Sequence, residues 1–584
     1  MKLQRFLIPM AFVKTSYIFL YNRLFRHDDR LLMIAAGVVT GICSGLAAVA
    51  LRLSLEWIIE CLHPVRHYTW AIVLPGIGAV LSSLYLNKIV KEAPGHGVPE
   101  VIYAVSRYGG LLRFRSSFSR LISSFLTIGS GGSAGPEAPV VMSGSAIGSN
   151  IAKVLGLNDR QRVTLVGCGT SGAIAAIFNA PIAGLIFAAE VILGEWKFVN
   201  IIPIAIAAVA GAEVSQAIIP EQVLFNHEPF RLGIIDSSAC LGLALGTALV
   251  SVLFTKIMRQ SGRFAKGTKV PVWCRAAIGG SVVGLISMKF PVVLGEGYSY
   301  IQSMISGTFS MGLILTGIAV IAKVVATSAT LGWGGSGGIF APCLLIGSLT
   351  GTMFHQLIVS LFPETGFAGS GAYALLGMTG LISGVMQAPL TGIFLIVEIT
   401  GGYETILPLI LVSSLSSTIT HYIEPASFYF KELIDRGQFL RPGTDARILA
   451  DLNLGELLET KVHTAPENML FRDFIELIKI SEQNYFPILE EDTNRFRGII
   501  KISAIRRYVL DPGMYDMVFI NQIMDTRILA ASMTDDLQEV LNLMDADAMD
   551  TIPVVEEDRF IGMISKTKIL DLYRRELMMQ TSPH

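Results

Sequence analysis

The chain has 584 residues, of which 52% are hydrophobic and only 16% are charged, and its formal net charge is −1. Soluble proteins carry about 25% charged residues, so this composition indicates a membrane protein with a smaller soluble part. The balanced charge argues against nucleic acid as a partner. The six cysteines are scattered without paired spacing, which disfavours a disulfide framework and a metal site.

Basic residues begin the chain and apolar runs follow. Residues 1–30 hold six Lys and Arg residues, and the positive-inside rule places this segment in the cytoplasm. A helix needs ~20 apolar residues to cross a bilayer. Runs of about that length predict a multi-pass protein of the lipid bilayer: 31–58, 69–86, 199–218, 235–254, 311–328 and 404–421. Shorter apolar runs broken by Gly or Pro indicate tilted or discontinuous helices.

One glycine-rich pattern occurs twice in the membrane part, 203 positions apart. Residues 129–144 read GSGGSAGPEAPVVMSG, and residues 332–347 read GWGGSGGIFAPCLLIG. A second duplicated pattern, G-x-x-G-x7-A-P-x-x-G-x5-E, occupies 169–190 and 377–398. Such duplication predicts a channel or transporter with its substrate site where two homologous halves meet.

A third, weaker match supports the same division. G-H-G at 95–97 and G-E-G at 295–297 are 200 positions apart. Because the offsets drift only between 200 and 208, we predict repeats of about 31–220 and 230–435 within a membrane domain at 31–436.

A single acid lies inside the first glycine-rich run. Glu137 has Phe340 as its counterpart in the second half. A carboxylate in a membrane segment costs roughly 2.5–3.5 kcal/mol, so an intramembrane acid is by default a functional residue. Glycine-rich turns also precede helix starts, whose unpaired N–H groups attract anions. Several such ends could hold a small anion and still release it quickly.

The last part of the chain has the composition of a soluble domain and is itself duplicated. YFPILEEDTNRFRGIIKIS at 485–503 matches TIPVVEEDRFIGMISKT at 551–567, each after an amphipathic helical pattern. The order helix, strand, turn, strand, helix, twice over, resembles a pair of CBS domains. We therefore expect a C-terminal α/β domain in the cytoplasm, divided into three segments: a linker at 437–455, one CBS domain at 456–511 and a second at 520–577.

The CBS resemblance leaves the ligand open. Nucleotide-binding CBS domains carry an Asp after the second strand, whereas the corresponding positions here hold Ala504 and Lys568. Adenine-nucleotide binding and a purely structural role, such as dimer contacts, are both retained. No other cofactor is required.

The membrane part resembles the CLC family of chloride channels and chloride/proton exchangers. Residues 95–99, 135–139 and 338–342 correspond to the family's three anion-binding motifs, and Tyr429 to its late tyrosine. FNAPIAGLIFAAE at 178–190 is also typical of the family. The resemblance implies an all-α polytopic fold of two inverted repeats with broken helices. It also implies a homodimer in which each subunit has its own anion pathway.

The same resemblance implies roles for individual residues. Glu137 would be the gate, because its carboxylate would occupy an anion site and leave it when protonated or displaced. Val191 stands where exchangers commonly carry an internal proton-transfer Glu. The groups around the anion would be those of His96, Gly97, Ala138, Ile339, Phe340 and Tyr429.

Three positions depart from the family pattern. His96 replaces a Ser, and its imidazole either donates to the anion or is turned aside, so chloride selectivity over nitrate is an expectation only. Pro136 and Ala138 replace a basic residue and a Gly beside Glu137, which predicts weaker anion binding there. Val191 removes the inner acid and favours a passive channel, with the chloride/proton antiporter as the alternative.

The preferred function is a CLC-type chloride channel gated by a glutamate and regulated by CBS domains, and not an enzyme. The location expected is the cell (inner) membrane. A CBS-regulated divalent-cation transporter is a remote alternative, because it needs clustered carboxylates and the acids here are isolated. A serine hydrolase built on Ser336 is rejected, since Ser133 occupies the same place in the other half.

Overall fold

Two copies of one helical arrangement are followed by a smaller α/β part. The computed structural model describes residues 29–65, 68–92, 97–194, 196, 198–220, 225, 233–436, 454–491, 493–527, 529–547 and 549–581. The chain divides into two compact units, Met1–Phe439 and Leu440–His584, and each is described by itself. Nearly all of the predicted N-terminal segment 1–30 and linker 437–455 lies outside the described residues.

The described residues of the first half of the membrane unit form eight α-helices. Two of them continue into a π-helical turn, α2 at Tyr85–Val90 and α7 at Ala188–Leu193. The helices are α1 Asp29–Leu62, α2 Leu74–Leu84, α3 Val98–Arg107, α4 Ser116–Gly129, α5 Glu137–Val154, α6 Asp159–Phe178, α7 Pro181–Phe187 and α8 Phe198–Ile218.

The second half repeats this order of long and short helices and ends with one additional helix. Its helices are α9 Ile234–Gly267, α10 Val272–Ser287, α11 Tyr298–Ile305, α12 Leu313–Gly332, α13 Phe340–Leu361, α14 Ser370–Met386, α15 Pro389–Thr400, α16 Ile406–Ile423 and α17 Phe428–Asp435.

Equivalent helices begin in the same way in both halves. The duplicated A-P sequence starts α7 at Pro181 and α15 at Pro389. Proline is favoured in a first helical turn because its missing N–H would be unpaired there anyway. The preceding helices end on left-handed residues at matching positions, Asn179 with φ 54° and Gln387 with φ 52°. The duplicated sequence therefore encodes a duplicated helix break.

Several of the duplicated glycines serve close helix packing. A Cβ on Gly169 of α6 would lie 1.9 Å from the carbonyl oxygen of Gly144 in α5. The equivalent contact joins α14 to α13, where a Cβ on Gly377 would lie 2.3 Å from the oxygen of Gly347. Small residues let helices approach in this way inside membranes. These four positions have a packing role, unlike the loop glycines described below.

Helix lengths agree with a multi-pass membrane protein. Among the described residues, seven helical spans are long and apolar enough to cross a bilayer. Six of them overlap the apolar runs predicted from the sequence. The seventh, Phe340–Leu361, begins within the second glycine-rich pattern and is not among those runs. The predicted all-α polytopic membrane domain is confirmed.

The C-terminal unit contains two ββα elements. In the first, β2 (Tyr485–Leu489) pairs antiparallel with β3 (Phe496–Lys501) and parallel with the short β1 (Ala465–Pro466). In the second, β4 (Thr551–Glu556) pairs antiparallel with β5 (Arg559–Ser565). The helices of this unit are α18 Leu454–Leu457, α19 Phe471–Ile480, α20 Ile502–Val509, α21 Leu537–Ala546 and α22 Lys566–Thr581.

The two elements share register features as well as order. In each hairpin the pairing shifts near the end of the first strand, between Ile488 and Leu489 and between Val554 and Val555. The predicted helix–strand–turn–strand–helix order is observed in both copies.

The surface of the C-terminal unit carries exposed ion pairs. The Arg472 guanidinium donates to Asp516, and this hydrogen bond lowers the pKa of the Asp516 carboxyl below its usual range.

Candidate functional site between the two halves

The two glycine-rich loops lie side by side and pair through their backbones. The Gly135 amide donates to the Gly338 carbonyl at 2.9 Å, and the Gly338 amide donates to the Gly135 carbonyl at 2.7 Å. These residues are 203 positions apart, so each is the counterpart of the other. A two-way contact between equivalent residues relates the halves by a pseudo-two-fold axis at this point, as in an isologous interface.

Serine and threonine side chains extend this symmetry around the loops. The Ser133 amide donates to Thr330 Oγ1 at 3.1 Å, and the Ser336 amide donates to Thr127 Oγ1 at 3.2 Å. The Ser336 hydroxyl is bonded to Ser123 Oγ at 2.8 Å. Each duplicated serine therefore fixes its own loop to a helix of the other half. This structural role accounts for Ser133 and Ser336 without assigning either a nucleophilic function.

The carboxyl group of Glu137 is buried where the halves meet. Glu137 is the first residue of α5 and is 1% exposed. The hydroxyl of Tyr298, the first residue of α11, donates to Glu137 Oε1 at 2.8 Å. Oε2 accepts no hydrogen bond of good geometry from the described residues, and the Ala341 amide in the first turn of α13 faces the carboxyl group. A buried carboxylate with so few partners is costly to keep ionised, and protonation or a competing anion could displace it.

Tyr298 is a site residue that the sequence does not identify. It lies 161 positions from Glu137 and belongs to no recognised motif. The one signal near it is the G-E-G pattern at 295–297, the second-half counterpart of the first predicted anion-binding motif.

Gly97, in the first predicted anion-binding motif, lies against the start of α5. Gly97 precedes α3 with φ +87°, a left-handed conformation that favours glycine. A Cβ at Gly97 would lie 3.2 Å from the Ala138 carbonyl and 3.1 Å from Met142 Cβ. Gly97, Ala138 and Glu137 are thus brought together, whereas His96 lies outside the described residues.

The third motif forms the start of α13. Ile339 is the residue before this helix and Phe340 is its first residue; both are buried. The Phe340 ring packs on Phe178 and Phe187 of the first half, with ring centroids 5.5 and 6.2 Å apart. The counterpart of Glu137 is therefore an aromatic anchor between the halves.

Tyr429 is a buried residue in the last helix of the membrane unit. It is the second residue of α17 and is 2% exposed. Its hydroxyl lies within electrostatic range of Cys343 in α13 and of Glu137. The predicted anion-binding positions that the structure describes therefore converge on one region.

Val191 is apolar and buried, in the π-helical turn after α7. The preceding residue, Glu190, accepts hydrogen bonds from the amides of Leu390 at 3.2 Å and Thr391 at 2.7 Å, at the start of α15. Its oxygens therefore cap a helix of the other half.

The counterpart acid makes the reciprocal contact. Glu398 in α15 accepts from the amides of Ile182 at 2.9 Å and Ala183 at 2.7 Å, at the start of α7. Each half thus caps a helix of the other half. The sequence contains both acids at the right offset, yet it does not show that they are exchanged.

The positions compared for nucleotide binding lie at equivalent places in the C-terminal unit. Ala504 is exposed in α20, directly after β3. Lys568 lies in the first turn of α22, after β5, and its amide is bonded to Ser565 Oγ at 3.3 Å. An adenine-nucleotide ligand stays a prediction.

Family models match both parts of the chain. A model described as voltage gated chloride channel matches residues 77–421, and a CBS domain model matches residues 520–575. A ClcB-like chloride channel protein of Ralstonia nicotianae is 28% identical over 425 residues, which cover 69% of this chain and 96% of that protein.

Solved structures share the fold of the membrane unit. A slow cyanobacterial Cl⁻/H⁺ antiporter matches with a TM-score of 0.62 and 21% identity, covering 70% of this chain and 99% of its own. A CLC-type fluoride/proton antiporter matches with a TM-score of 0.59 and 20% identity, covering 68% and 97%. A eukaryotic CLC transporter covers 92% of this chain and 98% of its own, with a TM-score of 0.61 and 17% identity.

Proposed function

Because this chain belongs to the CLC family of chloride channels and transporters, we propose that it conducts chloride passively through a pathway gated by Glu137. The observation that carries this proposal is the position of the Glu137 carboxyl group at the start of α5, facing the start of α13 from the other half. Helix N-termini attract anions, so a carboxylate seated there occupies a place that chloride would take.

Gating follows from competition for this place. An ionised Glu137 carboxylate is held by the Tyr298 hydroxyl and excludes a second anion by repulsion. A protonated carboxyl group carries no net charge and leaves the helix ends to chloride. Flux should therefore rise as the pH falls through the range in which Glu137 takes up its proton.

Val191 and Glu190 support a channel over an exchanger. A proton that follows its own route inward needs an acceptor beyond Glu137, and Val191 supplies none. The neighbouring Glu190 accepts three hydrogen bonds from the start of α15, two from amides and one from the Thr391 hydroxyl at 2.7 Å. Chloride/proton exchange is the second candidate, because solved structures with this fold include proton antiporters.

The proposal also includes the location, the oligomeric state and the regulation of the protein. We expect the protein in the cell (inner) membrane, with its N-terminus and CBS domains in the cytoplasm, as a homodimer with one pathway in each subunit. The CBS domains would regulate the pathway. A CBS-regulated divalent-cation transporter is the remote alternative, because it needs clustered carboxylates, whereas Glu190 and Glu398 cap two separate helices.

The decisive experiment measures the reversal potential of the protein in liposomes under a chloride gradient while a pH gradient is imposed. A channel gives a reversal potential that ignores the pH gradient. A reversal potential that moves with the pH gradient in fixed stoichiometry would establish exchange instead.

Two variants test the gate in the same liposomes. Glu137→Gln should make chloride flux independent of pH, because its amide does not titrate. Glu364→Gln, the same change at an exposed loop acid, is the control and should retain the wild-type pH dependence. Wild-type pH dependence in Glu137→Gln would refute the gate.

A further inference from the structure

The second half presents its own version of the first anion-binding loop to Glu137. Gly97 and Gly297 are counterparts 200 positions apart, and both have left-handed backbones, with φ +87° and +84°. Tyr298, which follows Gly297, is thus the counterpart of Val98, and Glu296 is the counterpart of His96. The two glycines thus share a positive φ, and in the second half a residue with a hydroxyl group follows directly.

This loop is anchored from several directions. Lys323 of α12 is fully buried, and its Nζ donates to the carbonyls of Val293 at 3.0 Å and Gly295 at 2.9 Å. The Gly295 amide donates to the Gly131 carbonyl, in the glycine-rich run that leads to Glu137, at 3.3 Å.

The ring of Tyr298 is held as firmly as its backbone. It packs edge-on against Phe225, with ring centroids 6.0 Å apart. A Cβ at the preceding Gly297 would lie 2.4 Å from Leu345 Cδ2, so the loop lies directly against α13. These contacts aim the hydroxyl at Glu137 Oε1, where the bond is 2.8 Å long.

The Tyr298 hydroxyl favours the charged form of Glu137. A hydrogen bond donated to an ionised carboxylate stabilises that form. The other ionisable groups around this cluster are Glu296 of the same loop, Arg52 and Glu56 of α1, Lys323 of α12, Cys343 of α13 and Tyr429 of α17.

We propose that Tyr298 is a positioning residue that latches the Glu137 carboxylate in its anion-occupying place. The loop held by Lys323 is then a fixed support that sets the pH at which the pathway opens. This inference rests on the proposed gating role of Glu137.

The test is chloride efflux from proteoliposomes, measured from about pH 4 to about pH 9, the range over which perturbed carboxyl groups titrate. Tyr298→Phe removes only the hydroxyl, and the midpoint of the flux–pH curve should move about one to two pH units higher, because the charged form loses a hydrogen bond. Phe225→Leu loosens the ring of Tyr298 and should move the midpoint in the same direction by a smaller amount.

Tyr373→Phe is the matched control. The Tyr373 hydroxyl also donates to a buried carboxylate at 2.8 Å, that of Asp236, and Tyr373 packs on Gly351, far along α13 from Phe340. Its curve should coincide with that of the wild type. The double variant Glu137→Gln, Tyr298→Phe should behave like Glu137→Gln alone.

The outcomes separate this inference from the gate itself. Upward shifts in Tyr298→Phe and Phe225→Leu support the latch. If Glu137→Gln is insensitive to pH while both other variants coincide with the wild type, the gate stands and the latch is refuted. If Glu137→Gln titrates like the wild type, the proposed function fails first. Should Tyr298→Phe not assemble, Phe225→Leu alone still decides, and a downward or absent shift would refute the latch.

Discussion

Gly135→Ala is the most direct way to push Glu137 out of its place. A Cβ at Gly135 would lie 2.1 Å from Glu137 Oε2 and 2.9 Å from Ala341 Cβ. Ordinary contacts begin near 3.4 Å, so Oε2 must retreat by about 1.3 Å. The Glu137 side chain is flexible, whereas Ala341 is fixed at the start of α13. The carboxylate should therefore yield first, and the pathway should open.

The size of the effect follows from the cost of overpacking. Inserting a methyl group into a well-packed interior costs about 1–3 kcal/mol. If that cost falls on the seated carboxylate, the open-to-closed ratio rises roughly 5- to 150-fold. The increase should be largest at alkaline pH, where the wild-type pathway is mostly closed, and should vanish at acidic pH, where it is already open.

Chloride efflux from liposomes at alkaline and acidic pH measures this ratio. Gly338→Ala is the matched control, because its Cβ would lie no closer than 3.0 Å to any neighbour and 3.3 Å from Oε2. It should change the flux much less. A wild-type level of flux in Gly135→Ala at alkaline pH would refute this prediction. An equal increase in flux when Gly135→Ala is added to Glu137→Ala would also refute it, because Glu137→Ala has no carboxylate to displace.

Two further predictions concern stability, measured as the shift in thermal unfolding of the purified protein in detergent. Glu190→Gln and Glu398→Gln should each cost about 1–3 kcal/mol of unfolding free energy, because their hydrogen bonds are weakened. Glu190→Gln should cost more, since Glu190 accepts three hydrogen bonds and Glu398 accepts two. Glu404→Gln, at an exposed residue, is the control, and equal stability of all three variants would contradict the reciprocal capping. Asp435→Asn should cost less than about 1 kcal/mol, because the side chains of the Arg259–Asp435 pair are 32% and 30% exposed, and a larger loss would contradict that assignment.

Much of the membrane fold is predictable because burial in lipid leaves a strong apolar signal. Six apolar runs correspond to spanning helices. The span Phe340–Leu361 escapes this signal because its first residues belong to a glycine-rich pattern that reads as a turn. The expectation that Gly or Pro interrupts the shorter apolar runs holds at the duplicated A-P sequences, since proline favours the start of a helix in any context.

The contacts of the site are less predictable because they join distant parts of the chain. The hydroxyl of Tyr298 and the carboxylate of Glu137 meet only after both halves have folded, and tyrosines are common at membrane helix ends. The exchange of caps by Glu190 and Glu398 likewise depends on a pseudo-two-fold relation. An offset of 208 shows that the acids are equivalent, but a cap within each half would preserve the same offset.

The symmetry of the framework and the asymmetry of the site have a common origin in the duplication. The paired backbones of Gly135 and Gly338 hold the starts of α5 and α13 together by equivalent bonds. On this frame the first half places Glu137 and the second half places Phe340, which packs against Phe178. One helix start thus carries a movable charge, while the other is fixed by an aromatic ring. A pathway needs both, because a carboxylate can leave its place reversibly only if the opposite wall stays still.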